Sequence, residues 1–113
     1  IKLIDHADVV AKMNQKYGQL YVQDTIAKNV YKGMDADNKQ ATVMNLLVAN
    51  QSMDEKTAYN IVKAVFEHRD ELIRVHKEAE NFKLENQKTA AAGGIPWHPG
   101  ALRYFKEKGV KVD

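Results

Sequence analysis

The two prolines of the chain, Pro96 and Pro99, bracket Trp97 and His98, and this bracket constrains the fold more than any other stretch. Each proline fixes its own φ and pushes the residue before it towards an extended conformation. Ile95 and His98 are thus expected to be extended, with Trp97 held on a stiff strap between them. Pro99 then suits the first position of a helix, where a missing N–H costs nothing. Ala101, Leu102 and Phe105 make the inward face of that helix, and Gly109 is its natural stop. The strap has two readings. It presents Trp97 and His98 to a ligand, or it threads across a groove with Trp97 as a packing anchor and His98 as a helix cap. The packing reading is preferred, because tryptophan contributes mostly buried area.

A chain of 113 residues with 44% hydrophobic content fits one domain with a modest core. Lys and Arg number 17 against 15 Asp and Glu, so the net charge is only +2. That balance argues against a basic nucleic-acid-binding face, and the pI of 8.8 reflects the same small excess. Cysteine is absent, which excludes disulfides and Cys-based zinc sites. No apolar run approaches the ~20 residues that cross a bilayer. The opening Ile1-Lys2-Leu3-Ile4-Asp5 has neither an initiator Met nor the apolar core of a signal peptide. The expectation is a chain cut or processed from a longer one.

Local patterns predict the elements. Residues 5–17 read as a helix, with Asp5 as cap, Asp8 in the first turn and Gly18 as the stop. Leu20-Tyr21-Val22 reads as a short extended piece, Thr25-Ile26-Ala27 is ambiguous, and polar residues 32–40 read as a loop. Residues 41–49 are the best strand candidate. Their nearly continuous apolar run suits a strand covered on both faces, with Asn45 needing buried partners. Ser52 and Glu55 have capping-box spacing. Ala58, Ile61, Val62, Val65, Phe66, Leu72 and Ile73 then recur at helical intervals, with a stop or kink near residues 68–70. A further helix is expected over 75–85 with Ala79, Phe82 and Val75 inward. Ala90, Ala91 and Ala92 extend helix or pack tightly before Gly93-Gly94.

Few constellations carry chemistry. His68 and His76 are eight apart, which is not the one-turn spacing of a helical metal pair, and His6 stands alone near a helix start. Their acidic neighbours read as a solvated helix face. Asp35-x-Asp37 lacks the remaining ligands of a calcium loop. The single serine, Ser52, is explained by capping, and no nucleophile–base pair stands out, so an enzyme has no positive support. Tyr31-Lys32-Gly33 in the polar loop is a binding candidate, since Tyr31 offers a hydroxyl and Lys28 and Asn29 add donors. Packing of Tyr31 on the domain edge is its structural alternative.

The run from Ile95 to Ala101 resembles the closing pattern of TAXI-type solute receptors of tripartite ATP-independent periplasmic (TRAP) transporters: Ile/Val-Pro, an apolar residue, then His-Pro-Gly-Ala. Arg103-Tyr104-Phe105-Lys106-Glu107-Lys108-Gly109 is similar to the Arg-Tyr-Tyr-x-Glu-x-Gly ending of that family. Tyr31-Lys32-Gly33, Thr42-Val43 and Leu47-Val48 resemble its Tyr-x-Gly, Thr-Val and Leu-Val segment. The run from Tyr59 through Val62 to Glu67 resembles the helix that follows. Met34, Ala41 and Trp97 depart from the pattern.

The resemblance implies an α/β fold, the C-terminal part of a periplasmic-binding-protein type II architecture, helix-rich with two or three strands. Residues 1–94 would end one lobe, and residues 95–113 would form a return strap and terminal helix. It implies a periplasmic, non-enzymatic receptor that captures a small carboxylate-bearing solute, an amino acid or dicarboxylate, by lobe closure. The receptor would deliver that solute to TRAP membrane subunits without itself spanning the membrane. Tyr31 is the residue expected to touch ligand, and Trp97 and His98 are assigned to the strap. No cofactor, metal or nucleic acid is implied. The alternative is a small α+β protein-interaction module. Nucleic-acid binding through Arg103, Lys106, Lys108 and Lys111 has least support.

Overall fold

A computed structural model describes residues 2–88 and 95–112. The chain forms two compact units, the first over Ile1–Leu46 and the second from Leu47 onward.

The first unit is one helix and one hairpin. Helix α1 spans Ala7–Tyr17, and strands β1 (Val22–Ile26) and β2 (Asn38–Thr42) pair antiparallel, with Val22 opposite Thr42 and Ile26 opposite Asn38. Asp5 does help start α1, but from one position before the cap: its Oδ1 accepts from Ala7 N at 2.9 Å. Its Oδ2 accepts from Lys39 N at 3.2 Å. These two amides hold the Asp5 carboxyl below the usual carboxylate range. Gly18 ends α1 at φ +89, with its N–H bonded to Asn14 O at 3.0 Å. A two-stranded sheet is marginal alone. Here the residues before and within α1 brace it. His6 N donates to Lys39 O at 2.8 Å. The Asn14 side chain accepts from Tyr21 N at 2.9 Å and donates to Tyr21 O at 2.8 Å.

Two expectations are corrected here. The strand is not 41–49 but Asn38–Thr42, so three residues expected in a loop, Asn38, Lys39 and Gln40, lie in β2. Residues 43–50 run without ladder, turn or bend. Strand identity follows backbone pairing, and the hairpin closes on the polar segment. The side chains of Asn38 and Gln40 donate to Leu3 O at 3.4 Å and Ile4 O at 2.8 Å. Among the described residues no strand pairs with the apolar run, and Val43, Leu46, Leu47 and Val48 are exposed, as is Asn45.

The second unit is built on helices α2 (Glu55–Glu67) and α4 (Pro99–Glu107), with α3 (Arg69–Val75) following α2. The N-cap of α2 is Asp54, whose carboxylate accepts from Thr57 N at 2.9 Å. The Ser52 capping box does not form. Ser52 instead donates its N–H and hydroxyl to Asn50 Oδ1, each at 2.9 Å. The break expected near 68–70 is present at His68, between α2 and α3. The helix expected over 75–85 is replaced by 3-10 turns, Lys77–Asn81 and Leu84–Lys88. Ala79 is buried as expected, but Val75 and Phe82 face solvent. This segment is dense in charge and short of apolar partners, and it settles for single turns. The Ala90–Ala92 and Gly93-Gly94 expectations lie outside the described residues.

Helix α4 carries the core. Tyr104 and Phe105 are each 2% exposed and Ala101 6%, with Tyr59, Val62, Phe66 and Trp97 packed against them. Leu102, expected inward, is half exposed, and Tyr104 takes the buried position. Phe66 stacks on Tyr104 at 5.8 Å and meets Phe105 edge-on at 6.0 Å. Burial raises the Tyr104 phenol above its ordinary value. The helix closes in a Schellman motif. Gly109, at φ +71, donates to Lys106 O, and Val110 N donates to Phe105 O at 2.9 Å while its side chain joins the cluster. Outside the seam, Arg103 lies 4.8 Å over the Tyr59 ring and pairs with Glu55 and Glu107. The Tyr59 hydroxyl donates to Glu107 Oε2 at 2.7 Å, which raises its pKa. These pairs are solvent-exposed, so they guide the fit of the helices more than they stabilise it.

The described elements make a helix-rich α/β set with one two-stranded sheet, the fold class expected.

Candidate functional site

The loop between β1 and β2 is tightly built. Asn29 N donates to Met34 O at 3.1 Å, Met34 N to Tyr31 O at 3.1 Å, and Lys28 N to Asp37 Oδ1 at 2.8 Å. Asn29 and Gly33 both adopt positive φ, +67 and +89, which the tight reversal requires. Met34 is buried beneath the loop. Tyr31 stands on this turn, 49% exposed, and its hydroxyl makes no hydrogen bond among the described residues. Its phenol is thus exposed on a hydrogen-bonded turn.

Beside it lies an open groove of about 410 Å³, formed by Lys2 and Leu3 on one side and residues 33–38 on the other. Its lining mixes the Lys2 ammonium, the carboxylates of Asp35 and Asp37 and the apolar Leu3 and Met34. Tyr31 is not part of the lining. The sequence marked Gly33, Asp35, Asp37 and Asn38 as loop-formers but gave no sign that Lys2 and Leu3 would face them. That proximity comes from the Asn38 amide reaching Leu3 O, 35 positions away.

The Trp97 and His98 positions resolve in favour of packing. Trp97 is half-buried and meets Phe105 edge-on at 5.3 Å. His98 is the N-cap of α4. Its Nδ1 accepts from Gly100 N at 3.2 Å, and its Nε2 lies 3.0 Å from Met53 O. An amide can only donate and a carbonyl can only accept, so Nδ1 is bare and Nε2 carries the proton. The other histidines also serve local structure. His6 Nδ1 lies 2.8 Å from Gln40 Oε1, His68 Nδ1 lies 3.2 Å from Glu71, and His76 Nδ1 accepts from Glu78 N. Among the described residues, no three His, Asp or Glu side chains gather as a metal would need. No described helix is long and apolar enough to cross a membrane.

The model of the NMT1-like family matches residues 1–109. That is a periplasmic-binding-type family of solute-binding proteins, not an enzyme family. The helix-rich α/β fold is consistent with that match, which covers nearly the whole length: this chain belongs to the NMT1-like family.

Proposed function

We propose that the chain works as part of a two-lobed, extracytoplasmic receptor of the TAXI kind, which hands a small carboxylate-bearing solute to TRAP membrane subunits. The observation that carries this reading is the agreement of the family match over residues 1–109 with the ordered motif runs at Tyr31-Lys32-Gly33, Tyr59 to Glu67 and Ile95 to Gly109. In this reading residues 1–94 end one lobe and residues 95–113 return across the hinge. Tyr31 donates its hydroxyl to the solute carboxylate, while Lys28 and Lys32 supply positive charge nearby. The solute is an amino acid or dicarboxylate, because a single phenol and flanking ammonium groups match a carboxylate better than a neutral group. The location is periplasmic.

The test is a melting-shift screen of the receptor over amino acids, keto acids and dicarboxylates, since a ligand that binds only the folded state raises its melting temperature. At least one acid is expected to give a saturable shift that Tyr31→Phe weakens roughly tenfold in apparent affinity, about the effect of one charge-assisted hydrogen bond. No shift with any acid would end the receptor reading. A shift untouched by Tyr31→Phe would remove Tyr31 from it.

A further inference from the structure

His98 stands where two helices of the second unit begin. Its Nδ1 accepts from Gly100 N in the first turn of α4, and its Nε2 donates to Met53 O, one residue ahead of the α2 cap Asp54. The ring is half-buried, and Gly100 is buried against the first turn of α2, where water is a poor substitute for the ring as acceptor. Among the described residues no other side chain caps that turn of α4. The two bonds answer differently to a proton. The bond from Gly100 exists only while Nδ1 is bare. The bond to Met53 needs a proton on Nε2, which the neutral tautomer and the imidazolium both carry. A second proton would therefore set an N–H of the ring against the N–H of Gly100 and leave the Met53 bond intact.

We propose that His98 is a proton-sensitive cap, which in acid lets go of the first turn of α4 while keeping its hold on the Met53 carbonyl. Imidazole is the side chain whose charge ordinarily changes between about pH 5 and 8. The released form takes up a proton that the capped form excludes, so falling pH favours release and rising pH restores the cap. The charges around the ring divide. Asp54 and Glu55 at the start of α2 attract an imidazolium, but Asp54 is already bonded to Thr57 N and Glu55 lies 3.7 Å from Arg103. Lys56 on α2 and Arg103 on α4 repel it, as do the positive ends of both helix dipoles. Residues 50–53 and the strap from Ile95 to Trp97 carry no charge. Release loosens the strap and the start of α4, whereas Tyr104 and Phe105 hold the later turns in the core. His76 accepts from Glu78 N in the same way, but on an exposed 3-10 turn, and His68 faces Glu71, a pair that a proton strengthens. This inference is independent of the solute reading.

The test is amide exchange in the unaltered chain and in His98→Asn from about pH 8 to about pH 5, each rate divided by that of an unstructured chain at the same pH. Asparagine is a strong helix cap and takes up no proton in this range. The hydrogen bond from Thr57 holds the Asp54 carboxyl below its usual value, so Asp54 stays ionised throughout. In the unaltered chain, protection at Gly100 should fall roughly fivefold, the weight of one N-cap interaction, while protection at Thr57 changes by less than about twofold. In His98→Asn both should stay level. Protection at Gly100 that ignores pH, an equal fall in His98→Asn, or a parallel fall at Thr57 would each overturn the proposal. A second measurement needs no variant: the ring nitrogens of His98 and the Gly100 amide should shift in NMR with one common midpoint, and separate midpoints would equally overturn it.

Discussion

Replacing Gly100 by Ala tests the fit of α4 against α2. Gly100 lies in the first turn of α4, where its backbone approaches α2 closely. A Cβ at this position would clash with Glu55 O and stand 2.6 Å from Tyr59 N and 2.9 Å from the Ala58 Cβ. Two of these atoms are backbone and the third is a methyl group fixed to it, so none can swing aside. Ordinary contact begins at 3.4 Å, which requires α4 to withdraw by close to an ångström. A gap of that order forfeits between a quarter and a half of each dispersion contact it opens. The affected contacts are those of Tyr104 and Phe105, the largest fully buried side chains among the described residues. Overpacking of this kind costs about 1–3 kcal/mol, and the better helix propensity of Ala returns at most ~1 kcal/mol. A net loss of about 2 kcal/mol corresponds to a melting temperature lower by about 10 °C. The assay is thermal unfolding followed by circular dichroism and by the fluorescence of Trp97, the only tryptophan. Gly109→Ala is the comparison. It meets open space and suffers only the strain of φ +71, about 1 kcal/mol. If Gly100→Ala melts at or above the temperature of the unaltered chain, α2 and α4 do not pack as described.

Asp54→Ala should lower the melting temperature by a few degrees at pH 7, whereas Asp54→Asn should lower it less, because the amide oxygen still accepts from Thr57. The hydrogen bond from Thr57 holds the Asp54 carboxyl below its usual value, so its contribution is complete above about pH 4 and fades as pH falls through the lower folded value. The gap between the unaltered chain and Asp54→Ala should therefore narrow in acid to about the gap between Asp54→Asn and Asp54→Ala, since a neutral carboxyl oxygen still accepts from Thr57, and a gap that does not change between neutral pH and acid would refute the charged cap. Nitrogen NMR of His98 should show an unprotonated Nδ1 and a protonated Nε2; the opposite tautomer would contradict the two hydrogen bonds, from Gly100 N and to Met53 O. Trp97→Ala should cost about 2 kcal/mol in a urea titration, less than a fully buried tryptophan, and Trp97→Phe should recover most of it. Equal losses for the two variants would mean that the edge contact on Phe105 contributes nothing.

The elements legible in the sequence are those whose determinants are local. Helix α1 with its Gly18 stop, the break at His68, and α4 between Pro99 and Gly109 each follow from residues within one or two turns. Asp54 was missed as the cap of α2 because Ser52 and Glu55 fit a known spacing equally well, and only the path of residues 50–53 decides between them. The polar β2 was hidden for a deeper reason. Its strand character comes from β1 and from carbonyls of residues 3 and 4, some 35 positions away, while hydrophobicity pointed to residues 41–49. The candidate site divides the same way. Tyr31 was recognisable as a loop tyrosine two residues before a glycine, and the groove was not, since Lys2 and Leu3 reach residues 33–38 only through the folded hairpin.

One ring in this protein belongs to two helix beginnings at once. His98 grips the first turn of α4 through Gly100 and the carbonyl of Met53 immediately ahead of the α2 cap. Neither terminus can fray without releasing the imidazole that steadies the other. Amide exchange at Thr57 and at Gly100 should accordingly rise in step when the histidine is removed, although the two sites are separated by 43 positions and lie on different helices.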